Sequence, residues 1–261
     1  MYIDVHCHLT GGEYGENGGV EGVLARAKEE DVGLVICSGF DLDSSVIAKD
    51  LSEQYENVYF SAGFHPSELK KYKDGDLERI KTLCTHKKCV AVGEIGLDYH
   101  FEDNPAPETQ RELFVAQLRL ANELGLPVVL HSRDAAQETL EILTENLSLL
   151  KKGGLMHCYS YSAEMMERFL LLGLHFSFGG PSTFKNANKV QECVRRIPAP
   201  HLLSETDCPY LTPVPFRGTF PNEPKNVKYV VQNMAVLRNE NEEELQKQLL
   251  ENAKTLFFKL K

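Results

Sequence analysis

Eight short apolar runs recur along the chain at strand length, and helix-like stretches separate them, a pattern few architectures can accommodate. The runs are Ile3 to His8, Gly33 to Cys37, Val58 to Gly63, Val90 to Glu94, Pro127 to His131, Gly154 to His157, Leu174 to Phe178 and Leu202 to Glu205. Helical spacing of apolar residues marks Glu108 to Leu124, Ala135 to Leu147, Ala163 to Leu172 and Ala187 to Arg196 between them. Alternation of this kind predicts parallel strands joined by crossover helices. Eight such units in 261 residues predict an α/β fold, the (β/α)8 TIM-type barrel. Two more amphipathic stretches, Asn226 to Leu237 and Glu242 to Lys259, are expected to complete the outer ring. No repeat, low-complexity segment or Pro/Gly linker divides the chain, so residues 1–261 read as one domain.

The chemistry-bearing residues fall at the C-terminal ends of these runs, the face where barrel enzymes keep their active sites. His6 and His8 stand two apart on the first strand and so share a face. His65 follows the third run, Glu94 closes the fourth, His131 the fifth, His157 the sixth, and Asp207 follows the eighth. Four imidazoles and two carboxylates converging on one mouth compete for the same space unless cations occupy it. Six donors also exceed what one catalytic ion takes while keeping a position open. The expectation is therefore two divalent cations, one on His6, His8 and Asp207, the other on His131 and His157, with Glu94 between them. Asp4 shares the face of His6 and either orients an imidazole or is a buried polar residue. Glu205 shares the face of Asp207 and reads as a second general base or as a support for a ligand. Arg133, two after His131, and Arg217, in a Pro-rich loop, are candidates to grip a phosphate or carboxylate. Asp134 reads as a helix N-cap, and the Gly-rich stretch Thr10 to Gly19, with Glu13 and Glu16, as a mobile loop rimming the site.

Seven cysteines without CxxC pairs suit reduced thiols, and no basic leader or membrane-length apolar run is present, so a cytoplasmic protein without a membrane association is expected. No feature calls for an obligatory protein partner. A formal net charge of -10 argues against tracking along an extended polyanion, because Lys and Arg neutralisation dominates that kind of affinity.

The segments VHCHL, GFHP, AVGEIGLDYH, PVVLHSRDA, GLMHCYS and SETDCPYLTPVPFRGTFPNEP resemble, in that order, the TatD family of metal-dependent deoxyribonucleases, a branch of the amidohydrolase-type barrels. The likeness spans nearly the whole chain. It implies a divalent-metal phosphodiesterase acting on DNA, with metal ligands at His6, His8, Glu94, His131, His157 and Asp207, and it brings in magnesium beside the zinc, manganese, iron or nickel that a His-rich site suits. Many bacterial members carry a second His after the GxHP turn, where Ser67 stands here. Glu94 also occupies the place where other barrels of the wider superfamily use a carboxylated Lys.

The expected chemistry is hydrolysis of a phosphodiester by a metal-activated water. Asp207 accepts the proton, His65 stands at the phosphate or leaving oxygen, and Arg133 or Arg217 neutralises the equatorial oxygens. An acidic surface favours a grip on single-stranded DNA or strand ends, hence an exonuclease, and the family resemblance implies the 3′-5′ direction. Hydrolysis of a small-molecule amide or ester, or of aminoacyl-tRNA esters, is the alternative on the same site.

Overall fold

In a computed structural model describing residues 1–261, eight parallel strands follow one another in chain order around a single sheet. They are β1 (Tyr2–Cys7), β2 (Val32–Ser38), β3 (Val58–Ala62), β4 (Cys89–Asp98), β5 (Val128–Arg133), β6 (Gly154–Met156), β7 (His175–Phe178) and β8 (Leu202–Ser204). The ring is completed where β8 meets β1: Asp207 N–H donates to His6 O at 3.0 Å and His8 N–H to Cys208 O at 2.7 Å. Asp4 reinforces the seam, accepting from both the backbone N–H and the hydroxyl of Thr206. Its carboxylate holds the main chain of β8 and does not orient an imidazole; burial pushes it up to about 8.

Helices α1 (Gly19–Glu29), α2 (Leu42–Gln54), α3 (Asp76–Cys84), α4 (Pro107–Leu124), α5 (Ala136–Glu145), α6 (Ala163–Leu170), α7 (Asn188–Arg196), α8 (Val227–Arg238) and α9 (Glu242–Leu256) surround the strands. Their inner faces follow helical spacing, as in Leu245, Leu249, Ala253 and Leu256 of α9, all buried. No helix is long and apolar enough to cross a membrane.

Two features place the site. First, β4 does not stop at Glu94 but continues to Asp98, with a register shift against β5 between Val92 and Ile95. The glycines beside Glu94 permit this close course: a Cβ on Gly93 would lie 2.7 Å from Val129, and one on Gly96 would lie 1.9 Å from the His131 carbonyl oxygen. Second, α4 buries two glutamines two turns apart, each of which clamps a backbone segment. Gln117 accepts from Phe64 N–H and donates to Phe64 O, fixing the chain just ahead of His65. Gln110 does the same to Asp98. The Thr10–Gly19 stretch is pinned by Tyr14, whose ring is buried, and contains a short 3-10 turn at Gly15–Asn17.

Candidate metal centre

At the C-terminal mouth of the ring lies a cleft of about 580 Å³ whose walls include His8, His65, Glu94, His131, His157 and Asp207. The backbone around it is held in unusual conformations. Of six non-glycine residues with positive φ, four lie in the segments after β5, β6 and β8: Asp134, Cys158, Asp207 and Leu211. Such conformations persist only where the surroundings enforce them, which is characteristic of functional sites.

Four donor atoms form one group. His6 Nε2 lies 3.2 Å from His8 Nε2, 3.4 Å from Glu94 Oε2 and 3.6 Å from Asp207 Oδ1. His8 Nε2 lies 3.6 Å from the same Glu94 oxygen and 3.5 Å from the same Asp207 oxygen. A tetrahedral ion with donors at about 2.1 Å needs them roughly 3.4 Å apart. The spacing therefore fits an ion at its centre. The other oxygen of Glu94, Oε1, faces a second group: His157 Nε2 at 2.7 Å and His131 Nδ1 at 3.0 Å, these two nitrogens being 3.2 Å apart. Three donors with an open side are what a hydrolytic ion requires. One carboxylate thus faces both groups.

The imidazoles are oriented from behind, by Ser38 and Asp98, which the sequence does not single out, and by Glu205, which it does. Ser38, the last residue of β2, places its Oγ 3.0 Å from His6 Nδ1 and its carbonyl oxygen 3.0 Å from His8 Nδ1, leaving both Nε2 atoms turned into the site. Asp98 holds His131 in the same way, with Oδ2 3.1 Å from Nε2. Glu205 is fully buried behind His157 and outside the cleft lining. Its Oε2 accepts from Ser177 Oγ, while Oε1 lies 3.8 Å from His157 Nδ1, and both of these last atoms lack a hydrogen-bond partner. This location suits a support for His157 rather than a base at the mouth.

Protonation follows from this crowding. Burial alone would raise Glu94, but the imidazoles of His157, His65 and His6 outweigh it and hold its carboxyl well below the usual range. Burial and the neighbouring His131 bring His65 down to about 3, so it is neutral. Because His65 Nδ1 accepts from Ser67 N–H at 3.1 Å, its proton sits on Nε2, 3.5 Å from Glu94 Oε1. His65 is therefore a neutral donor directed into the cleft.

The two arginines part company. Arg133 lines the cleft with its guanidinium 5.0 Å from the centre of the Phe101 ring. Arg217 instead lies over Phe184 at 4.0 Å and is not among the lining residues. Asp134 does not cap α5, whose N-cap is Ala135; it pairs with His100 at 2.7 Å.

Comparison with known proteins agrees with the fold. The family model described as TatD related DNase matches residues 3–258. The uncharacterized metal-dependent hydrolase YabD of Bacillus subtilis (strain 168) is 43% identical over 257 residues, covering 98% of this chain and 99% of the relative. The 3′-5′ ssDNA/RNA exonuclease TatD of Shigella flexneri serotype 5b (strain 8401) is 33% identical over 259 residues, covering 98% of each chain. The crystal structure of YjjV, a TatD homologue from Escherichia coli K12, superposes with a TM-score of 0.91 at 34% identity, again covering 98% of each chain. The chain belongs to the TatD family.

Proposed function

We propose that this chain is a metal-dependent phosphodiesterase that removes nucleotides from the 3′ ends of single-stranded DNA, working as a single cytoplasmic domain over residues 1–261 without an obligatory protein partner. His6, His8 and Asp207 would hold one divalent cation and His131 and His157 a second, with Glu94, whose two oxygens face the two groups, shared by both. The observation that carries the reading is the 3.2 to 3.6 Å spacing of His6 and His8 with each other and with Glu94 and Asp207, beside an open, three-donor second group. Charge points the same way. Five carboxylates and one arginine line the cleft, so a polyanion is repelled until a pair of divalent cations offsets most of the excess.

Bound in these positions, the cations supply the Lewis acidity that activates water and neutralises phosphate charge. The remaining work falls to the chain. Asp207, which lines the cleft, takes the proton of the attacking water. His65 donates from Nε2 to a phosphate or leaving oxygen, and Gln117 keeps it in place through Phe64. Arg133 supplies a fixed positive charge at the rim for a non-bridging oxygen. Ser38, Asp98 and Glu205 keep the imidazoles aimed. The Shigella relative named as an ssDNA/RNA exonuclease supports the choice of substrate.

The test is metal analysis of purified protein, followed by reconstitution with zinc, manganese or magnesium and assay on 5′-labelled single strands with open and blocked 3′ ends. Stepwise shortening of the open strand alone is expected. Turnover of amides, lactones or aminoacyl esters with no shortening under any metal would replace this reading with the alternative hydrolase.

A further inference from the structure

The phenylalanines and tyrosines of this protein are buried or half-buried with five exceptions: Phe101, Tyr210, Phe216, Phe220 and Phe258 are exposed. Phe258 lies beneath Lys152, and the other four all belong to the segments that follow β4 and β8 at the catalytic mouth. A single exposed ring is ordinary, but exposed apolar side chains gathered at one mouth mark a surface that a ligand uses. Phe101 is 51% exposed and Tyr210 55% exposed, yet both line the cleft that holds Glu94 and Asp207. In a ring of eight strands taken in order, β4 and β8 stand diametrically opposite. The two rings therefore flank the donor cluster from opposite sides of the mouth.

Each ring is supported in its own way. Arg133 sits 5.0 Å from the Phe101 centroid and His100 meets the ring edge-on at 4.7 Å, so this side combines a π surface with a fixed cation. Tyr210 has Phe220 beside it at 6.2 Å and no cation over it. A π face close to a positive charge is how sequence-tolerant sites hold unpaired bases along a phosphodiester backbone.

We propose that Phe101 and Tyr210 are stacking platforms for two unpaired nucleobases, one on each side of the phosphodiester held at the donor cluster. This rests on the phosphodiesterase reading above and adds what selects the strand. Bases in a duplex have both faces covered by their neighbours, so only a frayed or single-stranded end can lie across both rings. Stacking makes no use of base edges or of the 2′-hydroxyl, so the platforms accept any base and do not distinguish DNA from RNA.

The experiment measures equilibrium binding of a fluorescent, nuclease-resistant phosphorothioate single strand to the metal-loaded protein by anisotropy. In parallel, cleavage of the ordinary strand is followed. The variants are Phe101→Ala, Tyr210→Ala and the conservative Tyr210→Phe. Each Ala substitution is expected to weaken single-strand binding roughly tenfold to a hundredfold. Tyr210→Phe should retain wild-type binding, because the ring and not the hydroxyl stacks. A strand whose terminal two bases are replaced by abasic residues should bind wild-type protein more weakly than the base-bearing strand binds either Ala variant. Binding of base-bearing strands within twofold of wild type in both Ala variants overturns the proposal, as does equal tightness for abasic and base-bearing strands. The cleavage arm is separate: absence of phosphodiester cleavage by wild type removes the nuclease reading, whatever the binding arm reports about the platforms.

Discussion

Replacing Asp98 by alanine isolates the contribution of a carboxylate that anchors the His131 ring. Its Oδ2 accepts from His131 Nε2 at 3.1 Å, and its Oδ1 accepts from His100 N–H at 2.9 Å. The carboxylate is buried, and Gln110 holds the Asp98 backbone independently through both its N–H and its carbonyl. The loop should therefore survive the substitution while His131 loses its anchor. A charge-assisted hydrogen bond contributes about 1.5–3 kcal/mol, roughly ten- to a hundredfold in an equilibrium constant. We expect Asp98→Ala to weaken binding of the second cation by about that factor and to lower kcat similarly, with the first cation little affected. Asp98→Asn, which keeps the shape and an acceptor oxygen but not the charge, should fall between. Titration of stripped protein with manganese, followed by its paramagnetic resonance signal, separates the two affinities, and circular dichroism reports the fold. If both affinities and kcat stay within twofold in a folded Asp98→Ala protein, the carboxylate does not set the His131 ring and the reasoning fails.

Removal of metal should destabilise the whole barrel, because the donors come from β1, β4, β5 and the segments that follow β6 and β8. At a cation concentration a hundred times Kd the linkage is about 2.7 kcal/mol, so chelation should lower Tm by roughly 5–10 °C in a thermal melt; an unchanged Tm after confirmed metal loss would refute it. Arg133→Ala should raise KM for a single strand about tenfold and reduce the salt dependence of binding by about one charge, whereas Arg217→Ala, over Phe184 and outside the cleft lining, should do neither. His175, half-buried with an unpartnered Nδ1, is pulled down to about 4 by burial and by the facing His201. The unfolded chain takes up a proton as pH falls below about 6.5 while the folded one resists until about 4, so about 2 kcal/mol of stability should disappear across that window. His175→Gln should flatten that part of the curve in urea melts at successive pH values, and identical curves for both proteins would contradict it.

How much of this centre can be read without coordinates depends on whether a residue's role is carried by periodicity or by register. His6 and His8 are visible because spacing of two on a strand forces a shared face, and the eight-unit alternation then tells where that face points. The outer helices are visible only where their inner faces are apolar. α2 buries Ser44, Ser45 and Ser52 beside Leu42, Ala48 and Leu51, which blurs the helical stripe, so it was not delineated. Asp98 was missed for a related reason. A strand ending at Glu94 puts Asp98 in a loop, whereas a strand running four residues further returns it to the face of Glu94, within reach of His131. The signal was present in the glycines at 93 and 96, which make sense only if β4 continues tightly against β5. Ser38, Gln110 and Gln117 leave no such trace, because a serine at a strand end or a glutamine in a helix has many ordinary uses. Their roles come from strand neighbours brought together by ring closure. Arg217 shows the opposite limit: its Pro-rich loop obeys no period, so proximity in sequence to Asp207 does not carry its side chain into the cleft. Residues that touch the reacting centre are thus constrained by chemistry at fixed strand positions, while those that hold them in place are constrained by the closure of the barrel, and only the first constraint is written locally in the chain.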